Sequence, residues 1–154
     1  MVGRSPAAAR QLASRARRRV KGAEVPAPDT DLVRQRAVVD AFFLAARSGE
    51  FDALLALLHP DVVLRADCGP SRPAASAVVH GAAAVARQAR LGANPAAKIH
   101  PALVNGAASV VITLGGRPHV VMAFTVAGGK VAEIDVIADP ERVRRLASAV
   151  LGDA

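Results

Sequence analysis

The chain has no tryptophan, no tyrosine, only four phenylalanines and a single cysteine in 154 residues. One cysteine, Cys68, excludes an intramolecular disulfide and suits a reducing compartment such as the cytoplasm. Scarce aromatics exclude a base-stacking platform for single-stranded nucleic acid and leave the core to aliphatic side chains. No apolar run approaches the roughly 18 residues of a membrane span, so no membrane association is expected. The four histidines, His59, His80, His100 and His119, fit no metal-ligand spacing with a lone cysteine. Gly-x-Ser-x-Gly, Walker-type and dinucleotide-binding loops are also missing, and neither metal nor cofactor is expected.

Acid is missing from one end of the chain. Residues 1–22 carry Arg4, Arg10, Arg15, Arg17, Arg18, Arg19 and Lys21 without a carboxylate, so the formal net charge of +7 lies wholly within them. The high isoelectric point therefore describes a basic arm on a neutral body. Ser5 as cap, Pro6 in the first turn and Gly22 as stop make the arm an isolated helix. Ala8, Leu12, Ala16 and Val20 share its shallow apolar side, and Arg10, Gln11, Ser14, Arg17 and Arg18 the other. Such an arm suits a solvated basic tail, a transit peptide, or a helix that sets its bases on DNA phosphates.

What is abundant downstream is pattern. Residues 23–30, with two prolines and no periodicity, form a linker. The body, 31–154, begins with a helix capped by Asp29, Thr30 or Asp31, carrying Leu32, Val39, Phe42, Phe43 and Ala46 and ended by Gly49. Phe51, Leu54, Leu55 and Leu58 mark a second short helix, with His59 at its end before Pro60. Asp61 to Ala66 is a first strand; 67–81 is a turn-rich loop with a short edge strand at Ala77 to Val79; Ala82 to Leu91 is weakly helical. After a strand from Ile99 to Asn105, Gly115-Gly116 and Gly128-Gly129 divide a three-stranded meander. Val110, Ile112 and Leu114 alternate onto one face with Met122, Phe124, Val126, Ile134 and Val136. Asp139-Pro140 opens a last helix through Val143, Leu146, Ala147 and Val150. The order predicts an α+β fold, a cone-like curved antiparallel sheet packed on helices.

The wording Val2-Gly-Arg-Ser-Pro-Ala-Ala-Ala-Arg-Gln-Leu-Ala-Ser-Arg-Ala-Arg-Arg-Arg-Val20 resembles the second helix of the helix-turn-helix in region 4 of extracytoplasmic-function sigma factors of the SigJ type. Residues 34–150 resemble the SnoaL-like domain of the ketosteroid-isomerase and nuclear-transport-factor-2 superfamily, and RQRAVVDAFFLAARSGEFDALLALLHPDVVLRAD is similar to the C-terminal extension of those sigma factors. That family's glycine-rich Asp-Gly-Gly-Gly-basic loop stands here as Asp67-Cys68-Gly69-Pro70-Ser71-Arg72, and its Asn-Pro-Asp-Lys-Leu motif as Asp139-Pro140-Glu141-Arg142-Val143.

The resemblance implies a truncated sigma-factor fragment, from a shortened or late-started gene. Its SnoaL-like domain would regulate transcription initiation in cis or through contacts with sigma core regions or RNA polymerase. Arg10, Gln11, Ser14, Arg17 and Arg18 would contact the −35 promoter DNA; Asp67, Gly69, Arg72, Asp139, Pro140, Glu141 and Arg142 would be the regulatory contacts. The alternative is a small apolar ligand-binding protein or a ketosteroid-isomerase-like enzyme, and a bare homodimer is a third reading. Asp67 and Asp135 are the weak acid/base candidates for that chemistry. Against it, Asp67 opens a turn and Asp135 shares a solvent-side face with Glu133.

Overall fold

Three two-residue turns set the sheet. Asn105-Gly106, Gly115-Gly116 and Gly128-Gly129 all hold positive φ, which matches the right-handed twist of the strands they join. The strand expected to run through Asn105 stops at Val104, because Asn105 and Gly106 take positive φ as a two-residue hairpin turn, for which Asn-Gly between apolar runs is the strongest short signal. In this computed structural model the described residues are 29–73 and 76–151. The arm, with Arg10, Gln11, Ser14, Arg17 and Arg18, lies outside them, as do positions 23–28 of the expected linker.

The elements are α1 (Leu32–Ser48), α2 (Phe51–Leu57), β1 (Leu58–Asp67), β2 (Ala77–His80), α3 (Ala82–Gly92), β3 (Lys98–Val104), β4 (Ala107–Leu114), β5 (Arg117–Ala127), β6 (Lys130–Ile137) and α4 (Pro140–Leu151). Asp31 caps α1, its carboxylate accepting from the Val33 and Arg34 amides, and Gly49 ends it at φ +71°. The six strands run in the order β2-β1-β6-β5-β4-β3. All neighbours are antiparallel except β1 and β6, which run parallel with Asp67 opposite Ile137. His59 lies in β1 and not at a helix end. Its Nδ1 accepts the Asp61 amide in the register shift between Leu58 and Val63, where Pro60 has no N–H to give a ladder.

The inner face is the one read from alternation. Val110, Phe124, Val126 and Ile134 pack with Val39, Phe42 and Leu54 of the helices and Val85 of α3. The core is not purely aliphatic: Phe42, Phe43 and Phe124 meet edge to face at 5.3–5.7 Å between centroids, an arrangement their quadrupoles favour. On the outer face α4 seats Val143, Leu146 and Ala147 on Val111, Val121 and Ile137. The outer face is therefore not a solvent face. Glu133 is only 2% exposed, and its carboxylate lies 3.3 Å from the Arg65 guanidinium, the kind of pairing a buried charge requires.

Gln35, buried within α1, joins the helix to the sheet. Its Nε2 donates to the Asp29 carbonyl at 2.6 Å, and its Oε1 accepts the Ala108 amide of β4 at 3.0 Å. Arg36 beside it donates to the carbonyls of Ala102 and Ser109. Replacing Gln35 with leucine leaves the buried Ala108 amide and the partly buried Asp29 carbonyl unpaired. Gln35→Leu is expected to lower stability by about 2–3 kcal/mol in urea unfolding, while Leu44→Ala on the exposed side of α1 changes it by less than about 0.5 kcal/mol.

Candidate functional site

Parallel pairing brings the ends of β1 and β6 together, and the two motifs follow those ends. The ladder continues one step past the strands, the Ala138 amide donating to the Asp67 carbonyl at 2.8 Å. From there the side chains converge. Asp67 Oδ1 accepts the Gly69 amide at 2.9 Å, an Asx turn, and Oδ2 is ion-paired with Arg142 Nη1. Arg142 Nε stands 3.6 Å from Asp139 Oδ2, one helical turn back. Arg72 closes the loop, its amide donating to the Gly69 carbonyl at 3.2 Å and its guanidinium reaching the Ala138 carbonyl at 3.5 Å.

Gly69 makes the close approach possible. Its φ of +81° is a conformation that L side chains rarely adopt, and a Cβ there would lie 2.4–2.8 Å from the Asp139 side chain. Pro140 and Glu141 occupy the first turn of α4, both exposed, and the Val143 amide donates to the Asp139 carbonyl at 2.9 Å. Five of the seven regulatory-contact candidates, Asp67, Gly69, Arg72, Asp139 and Arg142, are thus joined in one cluster. Pro140 and Glu141 flank it.

The acid/base candidates lie elsewhere than the cone interior. A cavity of about 120 Å³ opens there between Phe42, Phe43, Ile99, Ile112 and Met122, and neither Asp67 nor Asp135 lines it. Asp135 pairs with Arg65 and Ala123 in register, on the face opposite Ile134 and Val136. Asp67 has both oxygens engaged as described. Among the described residues no cluster of three or more histidine, cysteine or acidic side chains could hold a metal, and no helix is long and apolar enough to cross a membrane. The sequence reading missed Gln35 and Arg36, whose only signal was a polar pair on the helix that had to face the sheet.

No protein-family model matches the chain. Over 156 residues it is 33% identical to the ECF RNA polymerase sigma factor SigJ of Mycobacterium tuberculosis, an alignment covering 92% of this chain and 49% of SigJ. It is 29% identical over 140 residues to the sigma factor SigI of that species, covering 90% of this chain and 46% of SigI. The chain spans about half the length of these relatives. Among solved structures, an NTF-2-like protein of unknown function from Burkholderia xenovorans superposes with TM-score 0.50 at 17% identity, over 69% of this chain and 83% of that one. An LEH-like epoxide hydrolase of M. tuberculosis gives TM-score 0.51 at 19% identity, over 77% and 96%. The chain is homologous to the SigJ and SigI sigma factors over nearly all its length, and its fold is the curved-sheet cone of the NTF2-like proteins.

The cluster's energetics are testable. A double-mutant cycle of Asp67→Asn and Arg142→Gln is expected to give a coupling of about 1 kcal/mol, discounted for partial exposure and shrinking in high salt. Gly69→Ala combines the left-handed penalty with the collision against Asp139. It is expected to lower stability by about 2–4 kcal/mol in thermal or urea unfolding, against less than about 1 kcal/mol for Pro70→Ala beside it.

Proposed function

We propose that this relative of SigJ and SigI is a non-enzymatic regulatory module of sigma-dependent transcription, acting in the cytoplasm. In this reading residues 1–22 are a promoter-contacting helix, 23–30 a linker and 31–154 a SnoaL-like domain that adjusts initiation through protein contacts. The observation that carries the proposal is the similarity to SigJ across 92% of the chain. The joining of Asp67, Gly69, Arg72, Asp139 and Arg142 at the β1 and β6 ends supports it. In this reading Asp67, Gly69 and Arg72 on one side and Asp139, Pro140, Glu141 and Arg142 on the other are the regulatory contacts, the buried Gly69 acting by permitting the turn, and sigma core regions or RNA polymerase are the partners. Arg10, Gln11, Ser14, Arg17 and Arg18 are the residues that would meet promoter DNA, by phosphate contact and base-edge hydrogen bonds.

The enzyme reading has less support. The interior cavity of about 120 Å³ is smaller than ordinary small-molecule sites, and no carboxylate lines it. NTF2-like neighbours that are enzymes speak for the fold alone.

The test uses the full chain in a transcription reaction with core RNA polymerase, SigJ and a SigJ-dependent promoter. Adding the chain should change initiation several-fold. Arg142→Ala combined with Glu141→Ala should abolish the change while leaving the fold intact by circular dichroism. In mobility-shift assays, replacing Arg10, Arg17 and Arg18 with alanine should weaken binding to the promoter about tenfold or more and flatten its salt dependence. A chain that binds neither polymerase, sigma factor nor DNA would refute the assignment.

A further inference from the structure

The outer sheet face is buried well beyond the footprint of α4. That helix seats on Ala102, Val104, Val111, Val121 and Ile137. Further along the same face, Val63 of β1, Glu133 of β6 and Thr125 of β5 stand in one row, with Ala123 and Ala127 on the same side of β5 by alternation. Val63, Ala123 and Ala127 are only 5%, 1% and 2% exposed, and Glu133 and Thr125 are buried with them. Among the described residues, the three apolar ones belong neither to the core inside the cone nor to the cluster under α4. The packing of the described elements therefore does not account for their burial.

The chain enters the body beside this patch. The Asp29 amide donates to the Val126 carbonyl at 2.8 Å, and Asp29 Oδ2 accepts the Gly129 amide at 3.3 Å, which ties the entry point to the β5–β6 hairpin next to Ala127. Fully extended, the linker positions 23–28 span about 20 Å, while Ala123 lies about 13 Å along β5 from Ala127, so the arm is within reach of the whole patch. Charge fits as well. Glu133 and Asp135 share this face with one guanidinium, that of Arg65, and the arm brings seven bases and no acid. We infer that the basic arm, residues 1–22, docks on this part of the outer face with its apolar side toward the sheet. The helical spacing expected over the arm sets Arg15 and Arg19, one turn apart, on a flank of the stripe formed by Leu12, Ala16 and Val20. The small side chains of that stripe allow close approach to Ala123 and Ala127, and Arg15 and Arg19 are the bases that meet Glu133 and Asp135. Arg10, Ser14 and Arg17 then point away from the sheet, so docking and promoter contact are compatible. The inference uses the helical pattern of the arm and does not depend on the transcriptional reading.

Paramagnetic relaxation in the full chain tests the contact. A nitroxide on Ser14→Cys, with Cys68→Ser removing the native thiol, is expected to remove most of the amide signal of Val63, Ala123, Thr125 and Ala127. Arg15→Glu combined with Arg19→Glu should restore those signals. Arg10→Glu combined with Arg17→Glu changes the net charge equally on the opposite side of the helix and should leave the loss in place. Undiminished signals in the labelled parent would overturn the docking, as would equal restoration by the two charge-reversed pairs, which would reduce it to unspecific attraction. A loss that disappears on dilution of the labelled chain would overturn it too, by placing the arm on a second copy.

Discussion

One parallel pairing governs this molecule. β1 and β6 run in the same direction within a sheet that is otherwise antiparallel, so their C-terminal ends coincide. The chain leaving β1 and the chain leaving β6 therefore start side by side, and Arg142 reaches Asp67 across 75 positions of sequence. Were β1 reversed, the Asp67–Arg72 loop would leave from the opposite end of the strands and the two motifs could not meet. The same strand ends also aim α4. It starts at the cluster and crosses the outer face, where Val143 and Leu146 find Val121 and Ile137. Ion pairing and outer-face packing are thus two consequences of one register.

Much of this was legible because it is local. Alternation in Val110, Ile112, Met122, Phe124 and Ile134 named the inner face, since period two allows no other common side for them. Gly49, Gly115-Gly116 and Asp139-Pro140 marked ends by demands on φ or hydrogen bonding that few residues meet. What escaped was whatever depended on a distant partner. Whether β1 joins β6 parallel or antiparallel leaves no trace in its own alternation. Glu133 looks solvent-facing in sequence, because its burial is decided by Arg65 on the neighbouring strand. Gln35 and Arg36 serve backbone groups of β3 and β4, and nothing beside them in sequence says so. The motif residues were named by resemblance, but the bond between Asp67 and Arg142 is a fact of three-dimensional register.

The cluster also explains the wording of the loop. Of the three positions after Asp67, only the middle one, Gly69, is glycine here; Cys68 and Pro70 flank it. Gly69 is also where a Cβ would strike Asp139 and where φ is +81°. At Cys68 the amide donates to Ser76 Oγ at 3.0 Å, a geometry any residue with an N–H satisfies. Pro70 is exposed, where a missing N–H and fixed φ restrict the loop without disturbing a contact. Glycine thus stands at the position that geometry requires. Cys68 and Pro70, with narrower φ freedom than glycine, stiffen the loop, and the Asp67 turn, the Arg142 pair and the approach to Asp139 remain possible together. A patch whose charges already satisfy one another gains little net energy by exchanging them for a partner's. In the proposed docking such a cluster would contribute chiefly shape and register, and the exposed Pro70, Pro140 and Glu141 around it are where additional contact area would come from.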